Sequence, residues 1–154
     1  MFFSDVNPKR LEMAKEFGAS SIIHLKNGET PEETCQRVIA SMGRMPDYTI
    51  DCVGFESTIT LGLLGTKPGG ALVLTGMGQS DVKIPLISAT CREVDIRGVF
   101  RYKNTWPLCL QLIQEGKIDV KKLVTHRFPL EKAIDAFEVA KSGQGIKVII
   151  DCKS

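Results

Sequence analysis

The sequence predicts an α/β fold, a doubly wound parallel sheet, on three observations. Strand-like and helix-like segments alternate through the first hundred residues, the rhythm of strands joined by crossover helices. Ala71-Leu72-Val73-Leu74-Thr75 is a continuous apolar run, as found where a parallel strand is covered on both faces. Phe2-Phe3-Ser4-Asp5 reads as a strand that ends in an acid, with a helix start close behind it.

Each element has its own signal. Asn7-Pro8 caps and starts a helix whose Leu11, Ala14 and Phe17 share one face, and Gly18 stops it. Ser21-Ile22-Ile23-His24-Leu25 is a short buried strand. Thr30-Pro31-Glu32-Glu33 is a capping box with proline at the first helical position, and its helix runs to about Gly43. Tyr48 to Cys52 is the next strand, followed by a helix over roughly Glu56 to Leu64. Gly69-Gly70 turns into the apolar run, and Val94 to Phe100 is a further strand. The rhythm then changes near Arg101, the one candidate boundary: residues 1–101 form one domain and 102–154 another. In the second, Thr105 to Glu115 is a helix with Leu108, Leu112 and Ile113 on one side. Val124 to Phe128 is a strand, Leu130 to about Lys141 a helix, and Ile146 to Ile150 a last strand.

Composition narrows the function classes. The 154 residues are 43% hydrophobic and 25% charged, with 20 Lys and Arg against 18 Asp and Glu. There is no basic surplus, so neither nucleic acid nor a membrane surface is an expected partner. No apolar run approaches the ~20 residues of a membrane span. The five cysteines, Cys35, Cys52, Cys91, Cys109 and Cys152, are scattered without a Cys-x-x-Cys pair. They read as reduced, half-buried thiols of a cytoplasmic protein.

Several blocks carry a resemblance. The run from Asp5 to Lys15, the Gly69–Leu74 block and the stretch Arg92 to Tyr102 are among them, as are Asn104-Thr105-Trp106-Pro107 and Val124 to Ala133. Together these resemble the sorbitol (L-iditol) dehydrogenases, polyol enzymes of the zinc-dependent medium-chain dehydrogenase/reductase family. The resemblance covers essentially the whole chain but corresponds to the carboxy-terminal half or less of such an enzyme. It implies an incomplete Rossmann-type sheet that lacks its first strand and Gly-x-Gly-x-x-Gly turn. Residues 102–154 would then be the carboxy-terminal piece of the catalytic domain.

The resemblance also implies a cofactor, NAD, and roles for particular residues. Asp5 would accept hydrogen bonds from the adenosine ribose, its carboxylate repelling a 2′-phosphate, with Arg10 one turn on against the adenine or ribose. On spacing alone, Asp5 reads as a helix cap and Arg10 as a solvated residue. Thr75, Gly76 and Met77 follow the apolar strand at its carboxyl end and would touch the nicotinamide side of the cofactor, Gly76 permitting close approach. Without the family, Gly76 reads equally as a loop glycine and Met77 as a core residue. Val99, Phe100 and Arg101 would hold the nicotinamide carboxamide through the backbone, and Arg101 and Tyr102 would hydrogen-bond the polyol hydroxyls.

The family's catalytic zinc polarises the substrate oxygen and is held by a cysteine, a histidine and a glutamate of the amino-terminal domain. Here neither catalytic nor metal-binding residues are expected. His24 and His126 lack a ligand partner at normal spacing and read as strand histidines with satisfied hydrogen bonds. Two expectations remain open: part of an NAD-dependent polyol dehydrogenase, inactive alone and a homo-oligomer (a tetramer by resemblance) when complete, or a short truncated paralogue acting as a non-catalytic association module.

Overall fold

The structure, a computed structural model, describes residues 1–153. The chain divides into two units, Met1–Arg101 and a second beginning at Tyr102.

In the first unit, β1 (Phe2–Asp5) leads into α1 (Pro8–Glu16), whose first turn is closed by the Asn7 side chain accepting the Lys9 N–H at 2.9 Å. β2 (Ser21–His24) pairs parallel with β1, Phe2 opposite Ser21 and Asp5 opposite His24. α2 (Pro31–Met42) begins with the expected capping box: Glu33 N–H donates to Thr30 Oγ1 at 3.2 Å, and Thr30 N–H to the Glu33 carboxylate at 2.9 Å. It ends at Gly43, whose φ of 69° is the left-handed stop. β3 (Tyr48–Asp51), α3 (Glu56–Gly65) and β4 (Ala71–Leu74) follow. A short helix, α4 (Leu86–Thr90), precedes β5 (Asp95–Gly98). β3, β4 and β5 form a parallel sheet in that order, in a register that aligns Asp51, Leu74 and Gly98.

The strands therefore form two ladders, β1-β2 and β3-β4-β5. Among the described residues no ladder joins β1 to β3. Apolar side chains on these two strands are exposed: Phe3, Ile50 at 62% and Tyr48 at 70%. The core lies around the β3-β4-β5 ladder, where Ile59 and Leu63 of α3, Leu72 of β4, Ala89 of α4 and Val94 pack together. Arg92 fastens this region, donating to the main-chain oxygens of Leu63, Thr66 (2.7 Å) and Ser88 (3.0 Å). The bonds to Leu63 and Thr66 serve carbonyls at the end of α3 that the helix leaves unpaired, and the bond to Ser88 reaches α4.

The second unit contains α5 (Trp106–Gln114), β6 (Val124–Pro129), a 3₁₀ turn at Leu130–Lys132, α6 (Ala133–Lys141) and β7 (Lys147–Asp151). β6 and β7 pair parallel, and the chain returns between them through α6. The helix expected over Leu130–Lys141 is thus a 3₁₀ turn running into a shorter α-helix. Ala136 is the buried apolar residue here, while Trp106, Leu108, Leu110, Ile134 and Phe137 are exposed.

Two expectations are corrected, and one element was not foreseen. The strand from Val94 to Phe100 is shorter, because pairing with β4 ends at Gly98, although Val99 N–H still donates to the Leu74 oxygen at 3.0 Å. α4 carried no sequence signal: five residues are too few to show a helical period. The cysteines are not half-buried thiols. All five are free, Cys35 buried beneath Gly65 and the other four exposed.

Candidate functional site

In a parallel sheet every strand delivers its carboxyl end to the same edge, and ligands bind there. β3, β4 and β5 end in register, so Cys52, Thr75 and Val99 emerge side by side.

The loop Thr75–Gly78 is held against Val53-Gly54. Thr75 N–H and Gly76 N–H both donate to the Asp51 main-chain oxygen at 2.9 Å, and Thr75 Oγ1 donates to it at 2.8 Å. A Cβ on Gly76 would strike the Val53 and Gly54 backbones, and one on Gly78 would strike the Gly54 peptide. The glycine at 76 is thus demanded by the protein's own loop-to-loop contact, a reason the sequence reading did not include. Met77 is 76% exposed and does not pack in the core. With the Thr75 and Gly76 donors engaged, the carbonyls of this turn and the Met77 residue are what remain for a ligand.

Beside it, Val99 N–H is committed to Leu74, leaving its carbonyl and the Phe100 peptide. Phe100 is 74% exposed, and the Arg101 guanidinium lies 5.3 Å from its ring centroid, a cation–π arrangement. Arg101 has φ 50°, an uncommon conformation for a residue with a Cβ. Tyr102, in the second unit, lies with its ring centroid 4.9 Å from that of Trp106.

At the end of β1, Asp5 turns the chain by accepting the Asn7 N–H at 2.8 Å, and Arg10 approaches its carboxylate at 3.8 Å. The helix cap itself is Asn7 rather than Asp5. The acid and the guanidinium expected to meet an adenosine are therefore neighbours. Both remain partly exposed, leaving carboxylate lone pairs free to accept hydroxyl donors.

Both histidines are engaged. His24 Nε2 lies 3.0 Å from the Val6 oxygen, and His126 Nδ1 lies 2.9 Å from Thr125 Oγ1. Among the described residues no three His, Cys, Asp or Glu side chains are grouped to hold a metal ion. No helix among them is long and apolar enough to cross a membrane. Sequence reasoning missed the buried Asp51 and the Gly54 contact. The acid at the end of β3, three residues before a glycine, was the available signal.

Residues 1–115 match the family described as zinc-binding dehydrogenase. A sorbitol dehydrogenase from Gallus gallus is 47% identical over 149 residues, 97% of this chain and 42% of that protein. The chain thus spans less than half the length of the curated relatives it matches. Among solved structures, zinc dependent alcohol dehydrogenase 2 from Streptococcus pneumonia superposes with a TM-score of 0.85 at 26% identity, covering 99% of this chain and 45% of that one. A short chain alcohol dehydrogenase from E. coli CFT073, complexed with NADH, gives a TM-score of 0.79 at 26% identity over 91% of this chain and 40% of that one. With its parallel strands and these likenesses, the chain belongs to the zinc-binding dehydrogenase family.

Proposed function

We propose that the chain is the NAD-binding and substrate-facing portion of a polyol dehydrogenase, an enzyme that oxidises sorbitol or a related polyol to a ketose. The observation that carries this reading is the row of strand ends, Thr75–Met77 beside Val99–Arg101, in a chain close in sequence to sorbitol dehydrogenases. Asp5 accepts from the adenosine ribose hydroxyls, and its charge disfavours a 2′-phosphate. Arg10 steadies that carboxylate and flanks the adenosine. The Thr75–Met77 carbonyls and the Val99–Phe100 peptide line the nicotinamide, fixing which ring face meets the substrate. Arg101 and Tyr102 donate to polyol hydroxyls.

Zinc in the complete enzyme supplies the polarisation of the substrate oxygen. The described residues do not fit a zinc site, and no step of theirs passes through one. The exposed β5 edge supports assembly into a homo-oligomer, a tetramer by family likeness.

The test joins the 154 residues to the remaining part of the Gallus gallus sorbitol dehydrogenase and measures zinc content, NADH binding and sorbitol oxidation. The chimera oxidises sorbitol with NAD. The 154-residue chain alone binds NADH weakly and does not turn over. A chimera that folds, holds zinc and binds NADH yet oxidises no polyol refutes the substrate class; turnover by the chain alone refutes the division of labour.

A further inference from the structure

Asp51 ends β3 with its side chain inside the protein, 5% exposed. None of the ion pairs among the described residues includes it. Burying a carboxylate without a cation is costly unless hydrogen bonds hold it. Here Oδ2 accepts the Gly54 N–H at 2.7 Å, turning the chain back at Gly54, whose φ is 85°. The main-chain oxygen of the same residue accepts the three donors of Thr75 and Gly76. One residue thus grips two loops: its carboxylate holds Cys52–Gly54, and its carbonyl holds Thr75–Gly76. The glycine backbones of both loops then meet too closely for any Cβ.

We propose that Asp51 is a positioning residue for the cofactor, a clamp that sets where the Thr75–Met77 carbonyls stand. The inference rests on the reading above that these carbonyls line the nicotinamide. Without the carboxylate the Gly54 N–H loses its acceptor, and the wall against which Gly76 and Gly78 rest can move. The carbonyls of the turn move with it.

The test uses the 154-residue chain and two readouts: backbone amide shifts on titration with NADH into the millimolar range, and amide hydrogen exchange. Asp51→Ala weakens NADH binding about tenfold and speeds exchange at Gly54 and Gly76 by about as much, the scale of losing a buried acceptor. The amides of Ala19 and Leu25, bonded within the β1-α1-β2 segment, keep their rates. Asp51→Asn retains an oxygen that can accept from Gly54 and restores binding to within about threefold of the parent. If Asp51→Ala does not fold, Thr75→Val decides, because it removes one of the three donors to the Asp51 carbonyl and leaves the carboxylate. It weakens NADH binding about threefold. Unchanged affinity in Asp51→Ala or Thr75→Val overturns the proposal, as does an Asn variant no better than Ala. Exchange that rises equally at Ala19 and Leu25 also overturns it, since that is general loosening. A parent chain showing no NADH-dependent shifts refutes the cofactor reading itself, while the exchange rates still judge the clamp.

Discussion

Gly76→Ala isolates a purely steric demand at the candidate site. Gly76 is not in the left-handed region, so alanine meets no conformational penalty there. Its new methyl would meet the Val53 and Gly54 main chains, rigid parts of the structure rather than the tip of a flexible side chain. Overpacking costs about 1–3 kcal/mol, and backbone neighbours put this case at the upper end. Relief by moving the turn away weakens the two N–H bonds to Asp51, each contributing about 0.5–1.5 kcal/mol. Because relaxation trades one cost for the other, the total is about 2–3 kcal/mol, a substantial share of the ~5–15 kcal/mol typical of a domain. Gly69→Ala is the control. Gly69 has φ 69° and open space around the added methyl, so its cost is conformational alone, about 1 kcal/mol. Urea unfolding of the two variants beside the parent should rank Gly76→Ala well below Gly69→Ala. The opposite order would refute the assignment of Gly76 to loop-on-loop contact.

Four further outcomes are expected. Leu72→Ala, which empties a fully buried position over Gly62, lowers unfolding free energy by about 2–5 kcal/mol, read from the denaturant midpoint. The Arg37 guanidinium bonded to Glu29 holds that carboxyl below its ordinary range. The stabilisation is therefore full above the unfolded-state value near 4.5 and is lost as pH falls through the lower folded value. Acid titration of Glu29→Gln should show the parent's advantage vanishing at low pH; an advantage growing toward acid contradicts the sign. Burial pushes the Cys35 thiol up, so iodoacetamide at pH 8 should label Cys52, Cys91, Cys109 and Cys152 first and Cys35 only on unfolding, as peptide mapping will report. In the chimera, Asp5→Ala should relax the preference for NADH over NADPH, and a parent that prefers NADPH would remove the role given to Asp5.

What was legible in the sequence was what local chemistry decides. The Thr30–Glu33 capping box, the Asn7-Pro8 start and the left-handed stop at Gly43 depend on neighbours within four residues, and each stands where the sequence places it. The apolar run at Ala71–Leu74 announced a parallel strand, and it is the middle one of its ladder. Features made by distant partners were hidden. Asp51 looks like any strand-end acid until Thr75 and Gly76, 24 and 25 residues later, fold onto its carbonyl. Leu108 and Ile113 mark one side of α5 but do not tell whether anything covers it, and both are exposed. The end of β5 follows from where its ladder with β4 stops, not from the apolar character of Val99 and Phe100.

The separation of β1 from β3 has a consequence for how the first unit comes apart. Its principal core contains no residue before Ile59, while Leu11 and Ile23 are buried in the β1-α1-β2 segment. That segment reaches its neighbour through polar contacts at α2, such as Arg37 to the His24 carbonyl at 3.0 Å and Ser21 to Ser41 at 3.3 Å. No sheet ladder joins the two halves, so they are expected to open as unequal foldons. The first 25 residues should open at a lower free energy than the β3-β4-β5 half, and limited proteolysis should cut there first. A parallel sheet divided in this way should melt in order, with Asp5 released while Asp51 still holds the Gly54 N–H.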